Sequence, residues 1–465
     1  MPPSALRRRA VLSFVFLKGV NVSLNGARGI ALAAILGPKS YGVFGSLIIA
    51  QQYLSYLALG MREGVAIRLA QLRESPEEVS AIHSSALVWG GCVGLLALVV
   101  LSVLHYGLQW LPRSFVWVGL LSMASIVNEI LININRNDNK LLKIASMELI
   151  FQATALVLVL ALWKWLTVER ALQALLAGLV LGLSGYAVTL RAVRRSAVSW
   201  QTMRWLLGVG ILPAVLSAIS IVFSSLFVMA ANWMKLGSTI GLVVFAANIS
   251  TLILFGLNTL SWGLAARSMK RLYLRSPPSA APAQVELVDV AFRLGVIVAA
   301  LIALAGPLAF TWVMKAYALS ADFILYCCLF QSYGLLLFSE SNFLTVNARL
   351  RPVLAGYLVM IAILAAVLFL APVHFLTFIE IAIGSYFLLS VAVTAYCRRH
   401  GFSGGSFAER IVALSFPVWC LIGNVLAGAT GAVAVCGLFL ALNLALHHRR
   451  AAAFLMARGP RGSAK

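Results

Sequence analysis

Acidic side chains are scarce in this chain: 14 Asp and Glu stand against 36 Lys and Arg in 465 residues. Charged residues of all kinds make up 11%, against about a quarter in soluble domains. A water-soluble protein that is 62% hydrophobic would expose large apolar patches, which drive association. A bilayer accepts the same side chains on every face. Cysteine is also sparse. Cys92, Cys327, Cys328, Cys397, Cys420 and Cys436 show no metal-ligand spacing, and none falls in an expected outer loop where a disulfide would form, so they read as small apolar packing residues. The histidines, His447-His448 included, form no constellation with carboxylates, and no Gly-x-x-x-x-Gly-Lys-[Ser/Thr] motif is present. The sequence therefore calls for no metal, no cofactor and no ATP hydrolysis of its own. Long loops are missing too. The longest, 265–287, carries Ser276-Pro277-Pro278-Ser279, and without a substantial outer loop a membrane enzyme has nowhere to build its site.

What is present is a series of long apolar runs. A helix needs about 20 apolar residues to cross the hydrocarbon. On that measure an all-α polytopic protein is expected, with fourteen spans at 11–36, 41–61, 82–104, 114–134, 141–163, 171–190, 205–230, 238–262, 288–312, 319–346, 353–371, 375–397, 411–427 and 430–446. Only Gly428, Ala429 and their small neighbours separate the last pair. Arg7-Arg8-Arg9 before an apolar run, with Ala31-Leu32-Ala33 beyond it, resembles a secretory signal. Lys18, Asn21, Asn25 and Arg28 interrupt the run, however, so a retained first helix is expected. With the N-terminus inside, the loops on its side hold most of the 36 Lys and Arg. This positive-inside pattern places both termini in the cytoplasm of an inner (plasma) membrane. The net charge of +22 then reads as attraction to anionic membrane lipids rather than to nucleic acid, since no basic aromatic domain stands outside the membrane.

Polar residues inside spans are costly, roughly 2.5–3.5 kcal/mol for each Lys or Arg near a helix centre. At 3.6 residues per turn, Lys18, Asn21, Asn25 and Arg28 share an arc of about 80°. One polar stripe with two positive charges runs down the first span. Snorkelling and helix–helix hydrogen bonding are the bland explanations. A shared face favours a water-filled cavity instead, one suited to an anion such as phosphate or pyrophosphate. Glu129 in span 4 and Glu340 in span 10 are candidates for ion coupling, or else for salt bridging to Lys18, Arg28 or a loop arginine. Asp289 and Arg293 are one turn apart at the start of span 9 and suit a pair.

A faint repeat joins the halves: at an offset of 199, Gly42, Gly64, Ala66 and Arg68 match Gly241, Gly263, Ala265 and Arg267. Duplicated halves around a central site are common in transporters, with the join here in the basic loop 191–204. Leu36-Gly37-Pro38-Lys39-Ser40-Tyr41-Gly42, between a first helix bearing Arg28 and a second ending in glycine, resembles the polysaccharide transporter branch of the multidrug/oligosaccharidyl-lipid/polysaccharide exporter superfamily. That resemblance implies two six-helix lobes (1–195 and 196–400) around a central cavity, with two extra helices and a basic tail in 401–465. It implies alternating access and a polyprenyl-pyrophosphate-linked oligosaccharide as substrate, met by Lys18 and Arg28. Polysaccharide polymerase and export proteins would be its partners. Span 7 carries no charge, which departs from a cation-rich second lobe. Two other functions remain open: a cation-coupled multidrug exporter of the same superfamily, whose cavity should be acidic, and a non-transporting scaffold of an envelope-assembly complex.

Overall fold

The computed structural model describes residues 3–71, 76–186, 198–254, 314–344, 350–400 and 411–438, apart from scattered positions within them. All regular structure among them is helical. The order is α1 (Pro3–Ser55), α2 (Met61–Gln71), α3 (Pro76–Ser102), α4 (Ser114–Asn137), α5 (Leu141–Ala161), α6 (Val168–Ser184), α7 (Trp200–Trp233), α8 (Thr239–Leu252), α9 (Ser320–Leu336), α10 (Arg351–Leu370), α11 (Phe375–Arg399) and α12 (Leu414–Gly428). Seven of the described helical stretches are long and apolar enough to cross a bilayer. The ninth expected span, the Asp289–Arg293 pair, the loop 265–287 and the basic tail lie outside the described residues, as do the lobe boundary expected near 195 and the residues 401–410 that follow the one expected at 400.

The first two expected spans are the two arms of α1. Gly37 breaks the helix with φ 69° and ψ 167°, a conformation essentially confined to glycine. Pro38 follows at the first turn of the second arm, where its missing N–H costs nothing. The chain folds back there. Tyr41 Oη stands 3.8 Å from the position of a Cβ on Gly29, whereas twelve residues of straight helix would hold the two about 18 Å apart.

Two boundaries differ from expectation for one reason. α2 lies in a stretch expected to be loop, because Arg62, Glu63 and Arg68 break its apolar run. Its Met61 and Val65 are nevertheless fully buried, against Ile126, Ile130 and Ile134 of α4 and Leu206 of α7. Its polar residues Arg62, Glu63 and Arg68 are only partly exposed, so the whole helix is packed into the protein. α3 likewise starts before its apolar run, at Pro76 with Glu77 and Glu78 in its first turn, where carboxylates favour the helix dipole.

Aromatic rings fill the core of the C-terminal half. Tyr386 of α11 packs Phe223 of α7 at 5.0 Å and Phe330 of α9 at 5.1 Å between centroids, and Tyr357 of α10 lies 5.4 Å from Phe223. The halves meet in two places: α2 packs on α7, where a Cβ on Gly210 would stand 1.9 Å from the carbonyl oxygen of Gly60, and the second arm of α1 crosses α8. A Cβ on Gly42 would stand 3.0 Å from the backbone nitrogen of Gly241, and one on Gly241 only 1.8 Å from the carbonyl oxygen of Pro38. These glycines are the counterparts in the 199-residue repeat. After α12, Gly428 turns at φ 63° and helix resumes at Thr430. A Cβ on Gly423 would lie 2.7 Å from Gly431 O, so the expected last pair packs as a hairpin as far as it is described.

Candidate functional site

The polar stripe of α1 faces two neighbours. Toward the N-terminal end it packs on α5. The Lys18 ammonium forms an ion pair with the Glu148 carboxylate. Asn21 Nδ2 donates to Ala145 O at 2.9 Å and to Glu148 Oε2 at 3.4 Å. Both stripe residues are buried, with 7% and 5% exposure. Ten residues further along, Arg28 donates to Gln152 Oε1 at 2.7 Å and to Asn25 Oδ1 at 2.6 Å, and its guanidinium lies 5.4 Å from the Phe151 ring centre. Contacts advance together along both helices, from 18 to 28 and from 145 to 152. The first arm and α5 therefore run parallel, as two odd-numbered spans should.

Arg28 and Asn25 also line a cavity of about 70 Å³ at the seam between the halves. By the same measure one water occupies roughly 10–15 Å³, so the cavity has room for several. Its far wall belongs to α8, with Asn248 and Thr251 beside Phe245 and Leu252. Asn248 Nδ2 donates to Tyr41 Oη at 2.8 Å, and Thr251 Oγ1 donates to Gln331 Oε1 of α9 at 3.4 Å. The C-terminal half thus contributes an amide and a hydroxyl to this wall and, among the described lining residues, no cation. Among the described residues, no carboxylate forms an ion pair with Arg28. With α1 rising about 1.5 Å per residue, Arg28 lies about 13 Å from the break at Gly37, near the middle of a hydrocarbon slab of about 30 Å. Lys18 lies about 15 Å nearer the other face.

The two glutamates singled out in the sequence sit in unlike places. Glu129 accepts from Arg62 Nη1 at 2.8 Å, while Arg62 Nη2 donates to Glu63 Oε1 at 2.6 Å and to Tyr56 Oη at 3.0 Å. This cluster lies at the end of the bundle beside α2, and the partner of Glu129 is an arginine beyond span 2. Glu340 is fully buried on the stretch after α9. The structure brings neither to the Arg28 cavity. Sequence reasoning passed over Glu148, Gln152, Asn248, Thr251 and Gln331. A signal for the first two existed: they stand four residues apart near the middle of span 5, hence on one helix face.

A larger groove of about 470 Å³ opens beyond the seam, lined by Lys39, Val43 and Ser46 of α1, Phe115 of α4, Asn232 of α7 and Ile240 of α8.

Neither the protein-family models nor the curated proteins contain a match to this chain. Solved structures do. A multidrug resistance MATE family transporter of the MOP superfamily in its outward-facing conformation superposes with a TM-score of 0.56 at 17% identity, over 87% of this chain and 95% of its own. A MATE structure in the straight conformation gives 0.59 at 16% identity, over 87% and 96%. A MOP superfamily transporter from Pyrococcus furiosus gives 0.54 at 17% identity, over 87% and 95%. The chain has the fold of the MATE transporters. It is accordingly a multi-pass membrane fold, and at these identities the likeness speaks to fold alone. Within that fold the cationic stripe belongs to the first helix, and the Arg28 cavity lies between the two halves.

Proposed function

We propose that this chain is an exporter of the inner membrane that carries an amphiphile with an anionic head, a glycan on a polyprenyl diphosphate, from the cytoplasmic to the outer leaflet by alternating access. Its termini are cytoplasmic, and polysaccharide polymerase and export proteins are its functional neighbours. The observation that carries the reading is Arg28: a cation about 13 Å along α1 from its break, in a cavity between the halves with room for water, whose hydrogen-bond partners among the described residues are neutral. A buried cation without a counter-charge is costly, and a phosphate in the cavity would offset that cost through charge-assisted hydrogen bonds. Asn25, Asn248, Thr251 and Gln331 supply the hydrogen-bonding groups that a glycan head uses in place of water. The apolar groove beside the seam offers a lipid chain a route along the protein while its head is inside.

One structural neighbour shows that pocket polarity varies within this fold. The transporter from Pyrococcus furiosus has a binding pocket of reverse polarity that suggests a different function, and the cavity here is lined, among the described residues, by a cation and no acid. The competing reading, a cation-coupled multidrug exporter, is favoured by the fold, since one of the neighbours is a multidrug resistance transporter.

The test is translocation of a lipid-linked oligosaccharide in proteoliposomes, with the wild type, Arg28→Gln and the Lys18→Ala/Arg28→Ala double variant. Transport by the wild type and its loss in both variants is expected. Full transport by the double variant overturns the site assignment. Drug resistance on overexpression, with no glycan translocation, establishes the multidrug reading in its place.

A further inference from the structure

The two cations of the stripe are not equivalent, and the difference lies on α5. We propose that Glu148 is a displaceable internal counter-ion that divides the stripe into two anion stations, an open one at Arg28 and a masked one at Lys18. The inference rests on the reading that an anionic head passes along α1, and adds a residue that sets the order and selectivity of binding.

Three observations carry it. First, α5 presents an acid to one cation and an amide to the other. Glu148 pairs with Lys18, and Gln152, one turn later, accepts from Arg28 at 2.7 Å. The two α5 side chains have similar shapes but different charge, so Lys18 is neutralised while Arg28 is only hydrogen-bonded. Second, the stations are separated. Ten residues of helix place Lys18 and Arg28 about 15 Å apart along the axis, farther than one diphosphate group reaches while both cations point at α5. A head group meets them in succession. Third, Glu148 remains supported when Lys18 is taken by another anion. Asn21 Nδ2 lies 3.4 Å from its Oε2. The Tyr186 hydroxyl is within electrostatic reach of Glu148 and has no hydrogen-bond partner among the described residues. Lys143 lies over the Tyr186 ring at 5.5 Å. The charged clusters of the other packed helices are elsewhere: Glu129 and Arg136 of α4 belong with Arg62.

The exchange at Lys18 is one anion for another. The ammonium keeps its proton, the Glu148 carboxylate swings toward Asn21 and Tyr186, and a phosphate oxygen takes its place. An anion with a single weak charge gains little from this exchange because it replaces an equal charge already in position. A diphosphate carries more charge and more acceptor oxygens, so Glu148 selects for it.

The experiment uses the purified full-length chain, inorganic pyrophosphate and calorimetric titration at low salt. Wild type binds at Arg28. Arg28→Gln weakens binding by about tenfold or more, whereas Lys18→Gln changes it by less than about threefold. Glu148→Gln unmasks Lys18 and tightens binding by about tenfold, and the Lys18→Gln/Glu148→Gln double variant returns to the wild-type value. Should Glu148→Gln fail to fold because Lys18 loses its carboxylate counter-charge, Glu148→Asp retains the charge but shortens the reach, and it should tighten binding by about threefold. The inference is overturned if neither Glu148 variant tightens binding, if the gain survives in the double variant, or if Lys18→Gln loses as much as Arg28→Gln. A wild type that binds pyrophosphate through Arg28, with no response to Glu148, sinks this inference and leaves the anion site standing. A wild type with no binding, unimproved in every variant, sinks both.

Discussion

The seam between the halves makes a quantitative claim about two glycines that are equivalent by sequence repeat and unequal by geometry. At Gly241 an added Cβ meets Pro38 O at 1.8 Å and Pro38 C at 2.6 Å, where ordinary contact begins near 3.4 Å. Both are backbone atoms and cannot rotate aside, so in Gly241→Ala the second arm of α1 and α8 must part by roughly 1.5 Å, an overpacking that costs about 1–3 kcal/mol. At Gly42 the corresponding distances are 3.0 Å to Gly241 N and 3.3 Å to the Ile240 side chain, so Gly42→Ala calls for a shift of a few tenths of an ångström and costs about 1 kcal/mol or less. The penalty falls on the closed seam and is relieved when the halves separate. In Gly241→Ala the population with an open seam therefore rises by a factor of roughly 5–150. The assay is labelling of a cysteine at Thr251, on the cavity wall, by a membrane-impermeant thiol reagent in a background without native cysteines. Gly241→Ala should label several-fold faster than wild type and Gly42→Ala nearly at the wild-type rate. Equal rates in all three, with unchanged thermal stability, would refute the argument that backbone contact at this point contributes to holding the seam shut.

Other substitutions test single interactions. Gly37→Ala places a Cβ in a glycine-only conformation and should destabilise by about 1–3 kcal/mol, read as a lowered melting temperature in detergent; an unchanged value would mean that the hairpin of α1 does not depend on that backbone state. Tyr41→Phe removes the acceptor of the Asn248 amide and should cost about 1 kcal/mol; no loss of stability would show that Asn248 finds another partner. Glu129→Gln should cost little, about 1 kcal/mol or less, because the Glu129 side chain is 45% exposed and Arg62 keeps Glu63. Transport at the wild-type level is expected, and its abolition would make Glu129 part of the translocation machinery.

Some of this protein was legible in the chain alone. The scarcity of charge and the length of the apolar runs determined a multi-pass helical protein, because the bilayer demands about 20 apolar residues per crossing and satisfied backbone groups throughout. The helical period determined that Lys18, Asn21, Asn25 and Arg28 share one face, since spacing within one helix is local geometry. The break at Gly37-Pro38 was legible for the same reason. What faces that stripe was not local. Glu148 and Gln152 come within reach only because α5 lies parallel to the first arm of α1, at a sequence separation above 120 residues. Asn248 enters the cavity only because α8 crosses α1 at a backbone contact between glycines. A sequence shows that a cation is present in a span, but whether it is neutralised depends on a second helix. Tertiary packing decided that Lys18 is paired and that Arg28 has neutral partners, and so it turned one uniform stripe into two different sites.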